Sequence, residues 1–146
     1  MKADDIYITN YVDIIKQKAS FLETKGFSVM DVSEFIISYN RQNSCSIRIY
    51  YGRYDDLPEV SVRFENKGLK PEQYSLGWFI NLKKLEAGDK DIFQKEGLKV
   101  DKLTAIFSLL EYLEDNFDDI TNVDFCRVTN NKINENFERG LWGIEE

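Results

Sequence analysis

Histidine is absent from the sequence, and cysteine occurs only twice. The missing histidine excludes Ser-His-Asp and Cys-His nucleophilic catalysis and every metal site that needs a histidine ligand. Two cysteines cannot form a four-cysteine zinc site. Neither GxGxxG nor a P-loop GxxxxGKS/T motif occurs in the chain, so dinucleotide and P-loop phosphate binding have no support. The sequence therefore predicts a protein with no catalytic residue, no metal and no cofactor.

Proline and glycine are scarce, with two and eight residues respectively. This composition leaves no room for a long linker. The 146 residues are 42% hydrophobic and 14% aromatic, which is ample material for one core and argues against intrinsic disorder. We expect a single domain over residues 1–146.

Long apolar runs are also missing. No stretch approaches the ~20 apolar residues that span a bilayer, and the first residues lack the apolar segment of a signal peptide. Cys45 and Cys126 are too few to form a disulfide framework. These features are typical of a soluble cytoplasmic protein.

Basic residues are outnumbered, with 19 lysines and arginines against 26 acidic residues and a net charge of −7. Nucleic acids and anionic membrane surfaces attract basic proteins, so neither is an expected partner. The negative charge would attract a basic protein instead, or would simply keep the chain soluble.

Apolar periodicity predicts a helix, then strands. An apolar stripe with helical spacing runs through residues 4–25, and Gly26 is the predicted stop. The period then changes to two, which is typical of strands with one buried face. The alternating positions are Phe35, Ile37 and Tyr39; Ile47, Ile49 and Tyr51; Val60, Val62 and Phe64; and Leu76, Trp78, Ile80 and Leu82.

Helical spacing returns after the strands. We predict a short helix at DKDIFQKEG, a long helix from Asp101 to Phe117, an extended segment at Val123–Val128 and a last helix at Lys132–Arg139, with a docked tail. The buried face of the long helix is predicted to be Leu103, Ile106, Phe107, Leu110, Leu113 and Phe117. The fold class is α+β, a two-layer sandwich with an N-terminal helix, an antiparallel meander of four to five strands and then two to three helices.

Acidic residues cluster at the end of the long helix without a lysine or arginine among them. They are Glu111, Glu114, Asp115, Asp118 and Asp119, followed by Asp124. Acids in the last turn of a helix oppose its dipole, and like charges four residues apart repel. Two interpretations are open: a solvated face neutralised by lysines from elsewhere, or a docking site for a basic partner.

A second candidate surface lies in SIRIYYGRYDDLPEVSVRF. Arg48 and Tyr50 on one predicted strand, and Arg63 and Glu65 on the next, point away from the buried side. Arginine and tyrosine are common in binding hot spots, although they are also ordinary on an exposed sheet face. The loop between the strands adds three candidate partner-binding residues: Tyr54, Asp55 and Asp56.

The acidic run EYLEDNFDD and the stretch SIRIYYGRYDDLPE, within one small acidic α+β domain, give the chain the character of a known class. It resembles the immunity proteins of bacterial polymorphic toxin systems. The resemblance implies a non-catalytic cytoplasmic antitoxin that binds a toxin domain, often by covering the active site of a basic nuclease. The alternatives are a structural or regulatory interaction module, or an enzyme that works with carboxylates alone.

Overall fold

A computed structural model describes residues 12–33, 35–42, 44–51, 58–65, 68–88 and 102–139. The described chain begins in helix α1 (residues 12–18), followed after a turn at Ala19 by α2 (Ser20–Thr24). Five strands come next: β1 (Ser28–Val32), β2 (Ile36–Asn40), β3 (Ser46–Tyr50), β4 (Glu59–Phe64) and β5 (Glu72–Ser75). The last helices are α3 (Leu76–Glu86), α4 (Lys102–Asp115), α5 (Phe117–Ile120) and α6 (Val123–Glu138).

The strands form one antiparallel sheet in the order β1-β2-β3-β4-β5. Sequential neighbours pair directly, as short connections between antiparallel strands favour. Each predicted strand from Phe35 to Phe64 is confirmed. The predicted α+β class, with a helix before the meander and helices after it, is confirmed as well.

The inner face of the sheet is the side that packs against the helices. Its side chains are buried in one cluster with helical residues such as Leu22, Phe79 and Leu110. The inner-face members are Ile37, Tyr39, Ile47, Ile49, Tyr51, Val60, Val62 and Phe64. The period-2 pattern therefore identified the correct face of three strands.

The helix at the start of the chain is confirmed over its described residues, 12–18 and 20–24. Its predicted stop is confirmed too. Gly26 has a φ of 91°, a left-handed conformation that favours glycine, and its N–H donates to the carbonyl oxygen of Glu23 at 3.1 Å.

Two predicted extended segments are wrong. Residues 76–82 belong to helix α3, and the fifth strand is the shorter, more polar β5 just before it. Leu76, Phe79 and Leu82 are the buried residues of α3. Apolar residues in this segment fit both a period of two and a spacing of three, and packing selected the helix.

The second wrong segment is Val123–Val128, which lies inside α6. Asn122 caps this helix by accepting hydrogen bonds from the backbone N–H groups of Asp124 at 2.9 Å and Phe125 at 3.3 Å. The pattern also missed β1, an edge strand whose residues are all exposed. An exposed strand lacks the alternating buried face on which such a prediction depends.

The predicted helix DKDIFQKEG and the predicted docking of Leu141, Trp142 and Ile144 lie outside the described residues. Across the ranges given above, no helix is both long enough and apolar enough to cross a membrane.

Candidate functional site

The acidic run sits on two helices rather than one. Helix α4 ends at Asp115, Asn116 leaves the helical conformation, and α5 begins at Phe117. The side-chain amide of Asn116 donates to the carbonyl oxygen of Tyr112 at 2.9 Å, which satisfies one of the last carbonyl groups of α4. Phe117 and Ile120 are buried, so α5 is anchored and turns Asp118 and Asp119 toward solvent.

The break at Asn116 corrects part of the predicted conflict with the helix dipole. Asp118 and Asp119 lie in the first turn of α5, and Asp124 lies in the first turn of α6. An acid is favourable in the first turn of α6, because the N-terminal end of a helix is positive, whereas α5 is a single turn of four residues whose two ends nearly coincide. Only the acids near the end of α4, with Glu114 and Asp115 in its last turn, still oppose a dipole.

Glu111 fits the first interpretation, in which lysines from elsewhere in the chain neutralise the acids. Its carboxylate forms an ion pair with Lys18 Nζ of α1 at 3.1 Å, so a lysine distant in sequence neutralises it. The same ammonium lies 5.6 Å from the centroid of the Phe107 ring. Glu111 is therefore part of the contact between α1 and α4.

The other four acids have no such partner. Glu114, Asp115, Asp118 and Asp119, here called the acidic surface, are all exposed. Within the part of the chain that the structure describes, none of the four forms an ion pair or a side-chain hydrogen bond. Four unpaired carboxylates within six consecutive residues create a concentrated negative field.

Three described cations that contact α5, Asn116 or the end of α4 interact with groups other than these carboxylates. Lys83 Nζ donates to Asn116 Oδ1 at 3.3 Å and lies 5.0 Å from the Tyr112 ring centroid. The ammonium of Lys25 and the guanidinium of Arg41 lie over the Phe117 ring at 5.3 and 5.4 Å. Arg41 also donates to the carbonyl oxygen of Lys25 at 3.2 Å. Lys25 and Arg41 therefore reinforce the packing of Phe117, and none of the three cations forms an ion pair with the four acids in the described chain.

The second predicted surface is placed only in part. Tyr54, Asp55 and Asp56 lie outside the described residues. Arg48 and Arg63 are half-buried on the outer face of the sheet, the side opposite the inner-face residues. The helices α4 and α5 pack on the inner side, so the sheet separates these arginines from the acidic surface.

An ionic cluster that the sequence did not reveal joins β5 to α6. Arg127 forms a bidentate ion pair with Glu72. Its Nε donates to Oε1 at 2.8 Å, and its Nη2 donates to Oε2 at 2.7 Å. Tyr74 Oη donates to the same Oε1 at 2.8 Å, and Arg127 Nη1 donates to Asp124 Oδ1 at 3.4 Å. Glu72 and Arg127 are 55 residues apart, so no local pattern could have indicated their pairing.

The cluster shifts the ionisation of its members. The hydrogen bonds from Arg127 and Tyr74 lower the pKa of Glu72 from 4.5 to about 2. Burial, and the hydrogen bond to Glu72, raise the pKa of Tyr74 from 10.0 to about 12. Glu72 thus remains a carboxylate, with neither the raised pKa nor the proton that a general acid needs. The cluster is best explained as a structural contact that holds α6 against β5.

The two cysteines are buried thiols. Burial raises the pKa of Cys126 to about 12, and its Sγ donates to the carbonyl oxygen of Ile120 at 3.2 Å. Burial also raises the pKa of Cys45. A reactive cysteine needs a lowered pKa and access to solvent, so both fit structural roles.

The chain matches no protein-family model, no curated protein and no solved structure. Its function therefore has to be inferred from its own residues. In the described ranges, histidine, cysteine and acidic side chains form no group of three or more that could hold a metal ion.

Proposed function

We propose that this chain is a non-catalytic binding protein that neutralises or masks a basic protein partner, and that the acidic surface is its docking site. The observation that carries the proposal is the contrast between these carboxylates and the charged groups around them. Glu111 is paired with Lys18, and Asp124 with Arg127, whereas the four members of the acidic surface have no partner in the described chain.

Electrostatics favours this use of the surface. Exposed acids without partners repel one another, and a cationic surface that docks on them relieves that repulsion. The net charge of −7 has the same sign, so the whole molecule attracts a basic partner before contact. Acidic patches of this kind increase the rate of association and determine the preferred orientation.

The surface is also held in place before binding. Phe117 packs edge-on against Phe27, with ring centroids 5.9 Å apart, and Ile120 is fully buried. Asp118 and Asp119 are therefore attached to an anchored turn of helix. A preorganised site loses less conformational entropy on binding than a mobile loop does.

The resemblance to immunity proteins suggests what the partner is. In that class the partner is a toxin domain made by the same cell, often a basic nuclease. We extend this to the present chain as part of the proposal. The loop residues Tyr54, Asp55 and Asp56 remain predicted additional contacts.

The test is capture of a basic protein from the lysate of the native host at low and at moderate salt. The wild-type chain is compared with the triple variant Glu114→Lys, Asp115→Lys and Asp118→Lys. A matched control, Glu86→Lys, Glu135→Lys and Glu138→Lys, changes the net charge equally at exposed acids of other helices. The partner is then purified and its affinity for all three chains measured by calorimetry.

Docking at the acidic surface requires that the wild type and the control retain the partner and the triple variant loses it. Equal loss in both variants would mean that only net charge matters, and equal retention would mean that the surface is ordinary solvent-facing structure. Thermal melting of each variant separates a structural role, which predicts unfolding, from a binding role, which leaves the fold intact.

A further inference from the structure

The outer face of the sheet has a regular arrangement of polar residues. Cross-strand pairing places Ser46 opposite Arg63 and Arg48 opposite Ser61 on β3 and β4. Residues two apart on a strand point to the same side, as do residues directly opposite each other. Ser46, Arg48, Ser61 and Arg63 therefore form the corners of a square, here called the arginine–serine square.

The two arginines occupy one diagonal of this square and the two serines the other. Opposite corners of such a square lie roughly 7–8 Å apart at the backbone, within reach of long side chains. The serines are short and nearly covered, with Ser46 9% and Ser61 3% exposed. The two guanidinium groups thus share one face of the sheet with the two serine hydroxyl groups.

Donors in the square are left without acceptors. Within the described chain, Arg48 is half-buried, and its guanidinium group forms no ion pair and no hydrogen bond. Arg63 Nε forms an ion pair with Glu65 Oε1 at 3.6 Å, which is too long for a hydrogen bond, so this buried nitrogen has no hydrogen-bond acceptor in the described chain. A buried charged donor without an acceptor is unfavourable, and an anion would correct it.

The hydroxyl groups complete a donor set. Ser61 Oγ accepts a hydrogen bond from Gln73 Nε2 at 3.1 Å, so its own hydrogen remains available for donation. Ser46 makes no side-chain hydrogen bond within the same described residues. Two guanidinium groups and two hydroxyl groups therefore point to the same side of the sheet, in a protein that is acidic overall.

We infer that the arginine–serine square binds an oxyanion, a phosphate or carboxylate group of a ligand. Guanidinium groups bind both kinds of oxyanion through paired hydrogen bonds, and the guanidinium of Arg48 has no carboxylate partner of its own in the described chain. The site lies on the opposite side of the sheet from the acidic surface and does not depend on the proposed function.

Calorimetric titration of the full chain with inorganic phosphate, and separately with succinate, tests this inference at low ionic strength. The variants are Arg48→Gln, Arg63→Gln and Arg48→Lys, which retains the charge but not the planar fork. The control is Lys132→Gln, which removes one positive charge from an exposed position on α6. Circular dichroism melting checks that each variant is folded.

We expect either glutamine variant to weaken binding about tenfold or more, the loss of a charged hydrogen bond. The affinity of Arg48→Lys should fall between those of Arg48→Gln and the wild type, and Lys132→Gln should change the affinity by less than about twofold, as for a screened surface charge.

Binding of phosphate alone identifies a tetrahedral ligand, and binding of succinate alone identifies a carboxylate. The inference is overturned if neither anion binds at millimolar concentration, or if Arg48→Gln and Lys132→Gln weaken binding equally. If Arg48→Gln does not fold, the phosphate and succinate affinities of Arg63→Gln and Arg48→Lys test the inference in its place.

Discussion

Glu72 accepts two hydrogen bonds from Arg127 and one from Tyr74, whereas the carboxylates of the acidic surface accept none from side chains of the described chain. The Glu72 side chain is 23% exposed, and the four residues of the acidic surface are exposed. A carboxylate that loses water needs such partners, and one that keeps its water does not. The first arrangement fixes the fold, and the second leaves charge available for another molecule.

The Glu72–Arg127 pair and the acidic surface also differ in whether they connect distant parts of the chain. The pair of Glu72 and Arg127 joins the last strand to the last helix across 55 residues. The acidic surface joins no other element within the described chain, because none of its four carboxylates has an ion-pair or side-chain hydrogen-bond partner there. Variants of the first region should therefore change stability, and variants of the second should change binding.

The largest effect on stability should come from removing the ion pair between Arg127 and Glu72. Arg127→Gln leaves the Glu72 carboxylate without its charged donors, and because Arg127 is 48% exposed and solvent screens the pair, we expect the melting temperature to fall by about 2–4 degrees. The double variant Glu72→Gln and Arg127→Gln should lose less than the sum of the single variants, because neither charge is left unpaired. Lys132→Gln on the same helix is the control in thermal denaturation, and an equal fall in that control would contradict the prediction.

The next effect is a dependence on pH at both ends of the scale. The pKa of Glu72 is lowered from 4.5 to about 2 in the folded state, so its stabilisation is complete above pH 4.5 and is lost as the pH falls toward 2. The pKa of Tyr74 is raised from 10.0 to about 12, so its stabilisation is complete below pH 10 and is lost as the pH rises toward 12.

Urea unfolding at several pH values measures both slopes. Glu72→Gln should lack the acidic loss and Tyr74→Phe the alkaline one, each relative to the wild type at the same pH. Curves for wild type and Glu72→Gln that stay parallel through the acidic window would show that Glu72 does not contribute.

The smallest effect tests the break between α4 and α5. Asp115→Lys places a cation in the last turn of α4 and should raise the free energy of unfolding by about 0.3–1 kcal/mol. Asp118 lies in the single turn of α5, beyond the last turn of α4, so Asp118→Lys should give no such gain. Equal stabilisation by both substitutions in urea denaturation would mean that relief of repulsion alone matters and that the helix ends do not.

Several features of the site could be predicted from the sequence, and others could not. The acidic residues and the outward arginines were found because charge and alternation are local properties. The sequence allowed the acids to be neutralised by lysines from elsewhere, but it did not identify Lys18 as the partner of Glu111. The two residues are 93 positions apart, so no local pattern connects them. The unpaired state of Arg48 depends on all of its neighbours and has no sequence signal.

The sequence by itself determined the elements whose pattern is unambiguous. The segments that form β2, β3 and β4 alternate with a period of two, and Gly26 supplies the conformation that ends the first helix. Tertiary structure decided the rest. It made residues 76–82 helical where two periods competed, it placed Val123–Val128 inside a helix, and it joined Glu72 to Arg127. The physical reason is that local periodicity determines which face a segment can bury, whereas packing against distant segments determines which of the allowed conformations and charge pairs is stable.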